Sequence, residues 1–173
     1  TDPEHIISMR EEIETAFGTD EISYEKMREL NYVVGVLNEA MRLYPPFWMI
    51  DRVALGDDQV CDVKVTAGTT VVPYIYGVHQ NEYIWKDPNI FDPTRFLVKN
   101  KRHPFSHIPF GGGSRVCIGQ NMAMMQMLFV IVAIVRRYDF ALDPSREVHK
   151  RAMMILRPDG PINMRFSRAT KAS

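Results

Sequence analysis

Between Lys86 and Phe110 the chain carries Pro88, Pro93, Pro104 and Pro109 and almost no hydrophobic periodicity. Proline fixes its own φ, lacks an N–H donor and biases the residue before it away from helix, so no long helix or central strand can run through this stretch. Any fold must therefore hold about 20 irregular residues in place, and a loop of that length is usually functional or disordered. It leads into Phe110-Gly111-Gly112-Gly113-Ser114-Arg115-Val116-Cys117-Ile118-Gly119 and then into the longest apolar run, Met122 to Val135. That run is interrupted by Gln126 and is shorter than the roughly 18–20 residues needed to span a bilayer, so it reads as a buried helix.

The flanking segments are more regular. Asp2-Pro3-Glu4 is a helix start, with a capping carboxylate, a proline where no N–H bond is needed and negative charge at the positive end of the dipole. Ile6, Met9, Ile13 and Phe17 share one apolar face, and Gly18 can close the helix. Ser23 can cap a second helix that continues, with a break near Leu30, through Val33, Val36, Leu37 and Met41 until Pro45 and Pro46 end it. Short β-favouring runs follow at Ile50–Leu55, Gln59–Val65 and Thr69–Ile75, separated by Gly56-Asp57-Asp58 and Ala67-Gly68. A helix is expected from about Cys117 to Tyr138, and strands at Ala152–Arg157 and Ile162–Phe166 flank the turn Pro158-Asp159-Gly160-Pro161. The expected class is α+β: mainly α with small antiparallel β-sheets, in one domain over residues 1–173.

Composition removes several functions. With 46% hydrophobic residues in 173, the chain can build a core, and 21 Lys and Arg against 21 Asp and Glu give no field that would attract nucleic acid or anionic lipid. Two cysteines, Cys61 and Cys117, are too few for a disulfide framework, and no Asn-x-Ser/Thr acceptor occurs, so reduced thiols are expected. The opening TDPEHIISMREEIE is acidic and already helical, unlike a secretory signal, and an upstream continuation of the chain is expected.

The chemistry concentrates at the glycine-rich loop. A cysteine at the start of a helix faces unpaired N–H groups and a partial positive charge, which favour thiolate, a nucleophile or metal ligand. Glycines on both sides allow a tight bend and close approach of a flat ligand, and Arg115 can pair with an anionic group on it. Taken singly, a cysteine before an apolar helix is more often a small buried hydrophobe, and a glycine run a turn. Taken jointly, Phe-x-x-Gly-x-Arg-x-Cys-x-Gly resembles the haem-binding signature of the cytochrome P-450 family, the haem-thiolate monooxygenases, at every defining position.

Glu39-Ala40-Met41-Arg42 resembles the Glu-x-x-Arg of that family's K helix, and Arg95 in Phe91-Asp92-Pro93-Thr94-Arg95-Phe96 stands where the third member of its buried triad belongs. Thr94 replaces the usual Glu beside it. Gly68-Thr69-Thr70-Val71-Val72 looks like the strand after the K helix, with Ala67 in place of the usual Lys, and Asp87-Pro88 to Phe96 looks like the meander. Residues Asp2 to Phe17 look like helix J. The resemblance thus implies the C-terminal part of the cytochrome P-450 fold, comprising helices J and K, meander, cysteine loop, helix L and last hairpin. About the first three-fifths of such an enzyme would lie upstream, including the helix that carries its oxygen-activating Ala-Gly-x-x-Thr.

The resemblance also implies roles. Cys117 would be the axial thiolate of haem b iron and the catalytic residue, favouring O–O cleavage once oxygen is bound and reduced. Phe110 would pack beside the haem, Gly113 and Gly119 would permit the loop, and Arg115 and Arg52 would pair with propionates. Glu39, Arg42 and Arg95 would preorganise the meander. Phe47, Trp48 and Met49, with the hairpin tip near Pro158 to Pro161, would face the substrate pocket, although the three apolar residues suit plain core equally. Met122, Met124, Met125 and Met127 fall at helical spacing and read as packing, while His103 and His107 lack zinc spacing.

The activity implied is insertion of one atom of O2 into a lipophilic substrate, with electrons from an NADPH-dependent reductase docked on the proximal face. Other readings of the same loop are a truncated relic that holds no haem, a haem-thiolate sensor, and a reductase-independent isomerase or dehydratase. The last is disfavoured because the loop carries no insertion. The Gly-Gly-Gly-Ser-Arg form resembles microsomal members more than soluble bacterial ones, which often have His at the position of Arg115. This implies the endoplasmic reticulum, with any membrane anchor upstream of Thr1.

Overall fold

The computed structural model describes residues 2–98 and 102–169, so positions 99–101 of the irregular segment lie outside the described residues. Helix α1 (Pro3–Phe17) starts as the sequence predicts: the Asp2 carboxylate accepts from the Glu4 N–H at 3.0 Å. It closes at Gly18, whose φ of 49° lies in the left-handed region and whose N–H donates to the Glu14 carbonyl. Met9, Ile13 and Phe17 are buried and Ile6 packs beside them, which is the apolar face expected from spacing.

The break at Leu30 is also present. Short α2 (Tyr24–Met27), capped by Ser23, gives way to α3 (Asn31–Leu43). Leu30 offers α3 no side-chain cap, and the first-turn donors are satisfied from another helix. The Glu12 carboxylate of α1 accepts from the N–H groups of Tyr32 and Val33 at 2.8 and 2.9 Å. This carboxylate also places negative charge at the positive end of α3 and fixes the two helices against each other.

The short strands come in four antiparallel pairs. Strand β1 (Arg52–Val53) pairs with β4 (Thr70–Val71), and β2 (Asp58–Val60) pairs with β3 (Val63–Val65). The run Gln59–Val65, expected as one strand, is thus folded into a hairpin at Cys61, which has a φ of 50°. The expected strand Thr69–Ile75 is cut to two residues, and α4 (Ile75–His79) begins where it should have ended. Burial decides this, because Ile75 and His79 are both fully buried against the end of α3.

Helix α5 (Gln120–Val135) begins three residues after Cys117 and packs on α1, α2 and α3 through buried Leu128, Val132 and Val135. The expectation of a buried helix is corrected: Met122 and Val130 are more than half exposed and Phe129 is half exposed. The helix is apolar on all sides, and the described residues cover one side only. Its C-terminal turn is held by Arg10, which donates to the carbonyls of Val135 and Tyr138 at 3.1 and 2.8 Å.

The chain then turns into β5 (Tyr138–Leu142), where continued helix was expected as far as Tyr138. Strand β5 pairs over five residues with β8 (Met164–Arg168), while β6 (Lys150–Ala152) pairs with β7 (Leu156–Pro158). The two final strand candidates therefore do not pair across Pro158–Pro161. The hairpin tip is Met153–Ile155, a correction that follows from the long-range pairing of β8, which local turn chemistry does not report. The α+β class expected from the sequence stands.

Candidate functional site

The site is built on a buried charge centre. Glu39 and Arg42, one turn apart on α3, are both fully buried. Arg42 Nε donates to Glu39 Oε2 and Nη2 to Oε1, each at 2.7 Å, a bidentate pair. Arg95 Nε lies 3.3 Å from Glu39 Oε1, within ion-pair distance though without hydrogen-bond alignment. The same oxygen accepts from the Asp92 N–H at 3.0 Å. The structure thus brings Glu39, Arg42 and Arg95 together.

The remaining donors hold the irregular segment. Arg42 Nη1 and Nη2 donate to the carbonyls of His79 and Ile90, and Arg95 donates to those of Lys86 and Asp87. Five backbone groups with no helix or sheet to satisfy them, counting the Asp92 N–H, are therefore bonded to one charged cluster. Thr94, where the family pattern has Glu, sits in a 3-10 turn at Pro93–Phe96 whose N-cap is Asp92. The Asp92 carboxylate accepts from both the Thr94 N–H and hydroxyl. Gly35 of α3 allows this turn to approach, since a Cβ there would lie 2.9 Å from the Pro93 carbonyl oxygen.

Sequence reasoning missed three residues at this centre. The Arg42 guanidinium stacks over Trp85 at 5.2 Å, and the Arg102 guanidinium covers Trp85 and Phe96 at 4.9 and 5.0 Å. Burial, and then the charge of Arg95, lowers the Arg102 pKa. His79 is fully buried, and its Nε2 accepts from the Ile108 N–H at 2.9 Å. Its ring stacks on His107, which bonds the Asn38 carbonyl through Nε2 at 3.2 Å. Burial foremost pushes His79 down to about 4 and His107 to about 3, so both rings are neutral at pH 7. No spacing rule marks a lone histidine, arginine or tryptophan for such a role.

Two residues after Ile108 the cysteine loop begins. Gly111 and Gly113 have φ of 77° and 69°, and the loop closes where the Cys117 N–H donates to the Phe110 carbonyl at 3.0 Å. Cys117 is exposed, which removes the reading of a small buried hydrophobe. It precedes α5 rather than starting it, with its carbonyl accepting from the Gln120 N–H and Gly119 as the helix N-cap. Gly119 is the residue whose added Cβ would sit nearest the sulfur, at 3.8 Å. Val116 is about half exposed and Ile118 fully so, flanking the thiol with apolar surface, while Phe110 is half-buried. Arg115 is exposed and makes no hydrogen bond or ion pair among the described residues. An open thiol, apolar flanks and an uncommitted cation fit a large flat ligand bearing a metal and carboxylates.

The other predicted residues lie elsewhere. Arg52, on β1, is exposed and donates to its own neighbour's carbonyl, Asp51, with no bond to the cysteine loop among the described residues. Phe47 and Met49 are exposed, so they are not core. Trp48 is half-buried and its Nε1 donates to the Met153 carbonyl at 2.7 Å. The Leu156 N–H donates to the Pro46 carbonyl at the same distance. The Pro46–Met49 segment therefore meets the β6–β7 tip, not Pro158–Pro161. Among the described residues no group of three or more His, Cys, Asp or Glu could hold a metal by itself, and no helix is long and apolar enough to cross a membrane.

A relative named cytochrome P-450 4B1 from Homo sapiens is 36% identical over 159 residues, covering 90% of this chain and 31% of its own length. Cytochrome P-450 4A14 from Rattus norvegicus is 31% identical over 170 residues, 97% of this chain and 34% of its own. Cytochrome P-450 734A5 from Oryza sativa subsp. japonica is 35% identical over 177 aligned positions, 99% of this chain and 33% of its own. The chain thus spans about a third of the length of the curated relatives it matches. The family model described as cytochrome P-450 matches residues 1–166, so this chain belongs to the cytochrome P-450 family.

Proposed function

We propose that this chain supplies the haem-binding part of a haem-thiolate monooxygenase, with Cys117 as the axial ligand. The observation that carries the reading is an exposed cysteine in a tight glycine loop, whose leading segment is bonded to a buried charge centre. Haem b, when bound, would supply oxygen activation. The residues of this chain would bind and orient it. Cys117 would hold the iron, Phe110 would pack near the sulfur, and Gly113 and Gly119 would keep the loop compact. Arg115 would pair with a propionate, and it has no partner among the described residues. Arg52 is kept as a second propionate partner on the family pattern alone.

Glu39, Arg42 and Arg95 would act at one remove. By fixing residues 86–95 they limit the conformations of the segment that presents the cysteine loop, so ordering costs are met on folding rather than on binding. Phe47, Trp48 and Met49 would contribute apolar surface to a pocket for a lipophilic substrate, together with the Met153–Ile155 tip that bonds to Trp48. The partner would be an NADPH-dependent reductase, docked on the face that carries the cysteine loop. The endoplasmic reticulum membrane is the proposed location.

The test is a full-length protein carrying this segment, reduced and exposed to carbon monoxide. The wild-type spectrum is expected to show the red-shifted Soret band of thiolate ligation. Cys117→Ser is expected to lose that band while the rest of the fold persists by circular dichroism. A thiolate-type spectrum that survives Cys117→Ser would remove the reading.

A further inference from the structure

His79 lies outside every motif above, yet it joins the charge centre to the residues just before the cysteine loop, through its backbone on one side and its ring on the other. Its carbonyl accepts from Arg42 Nη1 at 2.8 Å, and its ring Nε2 accepts from the Ile108 N–H at 2.9 Å. Ile108 is two residues before Phe110, whose carbonyl accepts from the Cys117 N–H at 3.0 Å, and the Ile108 carbonyl accepts from the Gly111 N–H at the same distance. The stretch from Ile108 to Cys117 has no strand partner, so this ring fixes the loop's entry. We propose that His79 is a positioning residue for Cys117, its neutral ring acting as the hydrogen-bond acceptor that anchors the entry of the cysteine loop to the Glu39–Arg42 centre.

The geometry dictates the tautomer. A backbone N–H can only donate, so Nε2 carries the lone pair and the proton sits on Nδ1. Among the described residues Nδ1 has no hydrogen bond of normal geometry, although the backbones of Arg42 and Met41 lie near enough to favour its N–H, and the buried ring is held by its bond to Ile108 and by the stack on His107 at 5.3 Å. Protonation at Nε2 would turn the acceptor into a donor facing a donor, within reach of the Arg42 charge. Burial opposes that protonation and keeps the acceptor available. The cavity beside the link, about 130 Å³, is lined by Asn38, His107, Phe110, Gly111 and Gln120, so the loop entry is not otherwise packed solid.

The inference rests on the Cys117 reading, and the experiment separates the two. In the full-length haem protein, His79→Gln keeps an acceptor of similar reach, and His79→Leu keeps volume without one. We expect His79→Gln to retain the thiolate-type carbonyl spectrum and slow exchange of the Ile108 amide. We expect His79→Leu to lose protection at Ile108 by about five-fold or more and to shift part of the haem to the spectrum of thiol ligation. If His79→Leu does not fold, ring nitrogen-15 shifts of the wild type decide: a protonated Nδ1 and bare Nε2 support the proposal, and a protonated Nε2 overturns it. Equal Ile108 protection in both variants also overturns it. A wild-type protein with no thiolate spectrum, but with the Ile108 difference intact, would remove the Cys117 reading and leave the anchor standing.

Discussion

Replacing Glu39 by Gln preserves shape and removes one charge from a site where that charge is fully buried and faces two guanidinium groups. The neutral amide would offer one oxygen where four donors now converge, and its NH2 group would point at an arginine. Arg42 has no exposure through which water could compensate it. Breaking a buried pair by removing one partner costs about 3–5 kcal/mol, against a total stability of about 5–15 kcal/mol for a typical domain. Glu39→Gln or Arg42→Ala in the full-length protein is therefore expected to abolish haem incorporation, and to lower the urea midpoint measured by circular dichroism. The double change Glu39→Met with Arg42→Met tests the cause. If the penalty arises from an uncompensated charge, the pair of changes costs less than the two singles together, with a coupling of roughly 0.5–3 kcal/mol. Full haem content in Glu39→Gln, or strict additivity in the cycle, would refute the reasoning.

Two further outcomes follow from the same region. Gly35→Ala, which in an exposed helix would stabilise by about 1 kcal/mol, is expected to destabilise here by about 1–3 kcal/mol. The added Cβ meets a backbone carbonyl at 2.9 Å that the charge centre holds in place, and denaturant midpoints read the sign. Stability is also expected to fall on acidification. His79 is neutral when folded to about pH 4 but protonates near 6.5 when unfolded, so the unfolded state binds more protons below pH 6.5. The contribution is whole above pH 6.5 and lost by about pH 4, to a limit of about 3 kcal/mol. His107 adds in the same direction down to about 3. Arg42 faces both rings and Arg102 faces His107, both cations oppose protonation, and the His79 ring opposes protonation of His107. In His79→Gln the slope between pH 6.5 and 4 should shrink; an unchanged slope would count against the assignment.

The legible parts were those governed by neighbours in sequence. Asp2, Pro3 and Gly18 mark the ends of α1 because capping and left-handed backbone are local needs. The proline-rich segment, the glycine loop and the Glu-x-x-Arg pair likewise stand in the sequence as spacing. What the sequence could not report was decided by partners far away. Glu12 caps α3 from another helix, β8 finds β5 instead of the neighbouring β7, and Ile75–His79 coils because both ends are buried. His79, Trp85 and Arg102 gain their places from contacts with α3 and with Arg95, Phe96, His107 and Ile108, so no local pattern identifies them. A sequence specifies turns, caps and periodicity directly, through interactions a few residues long. Which face is covered, and which polar group meets which charge, is settled only when separate elements share one interior.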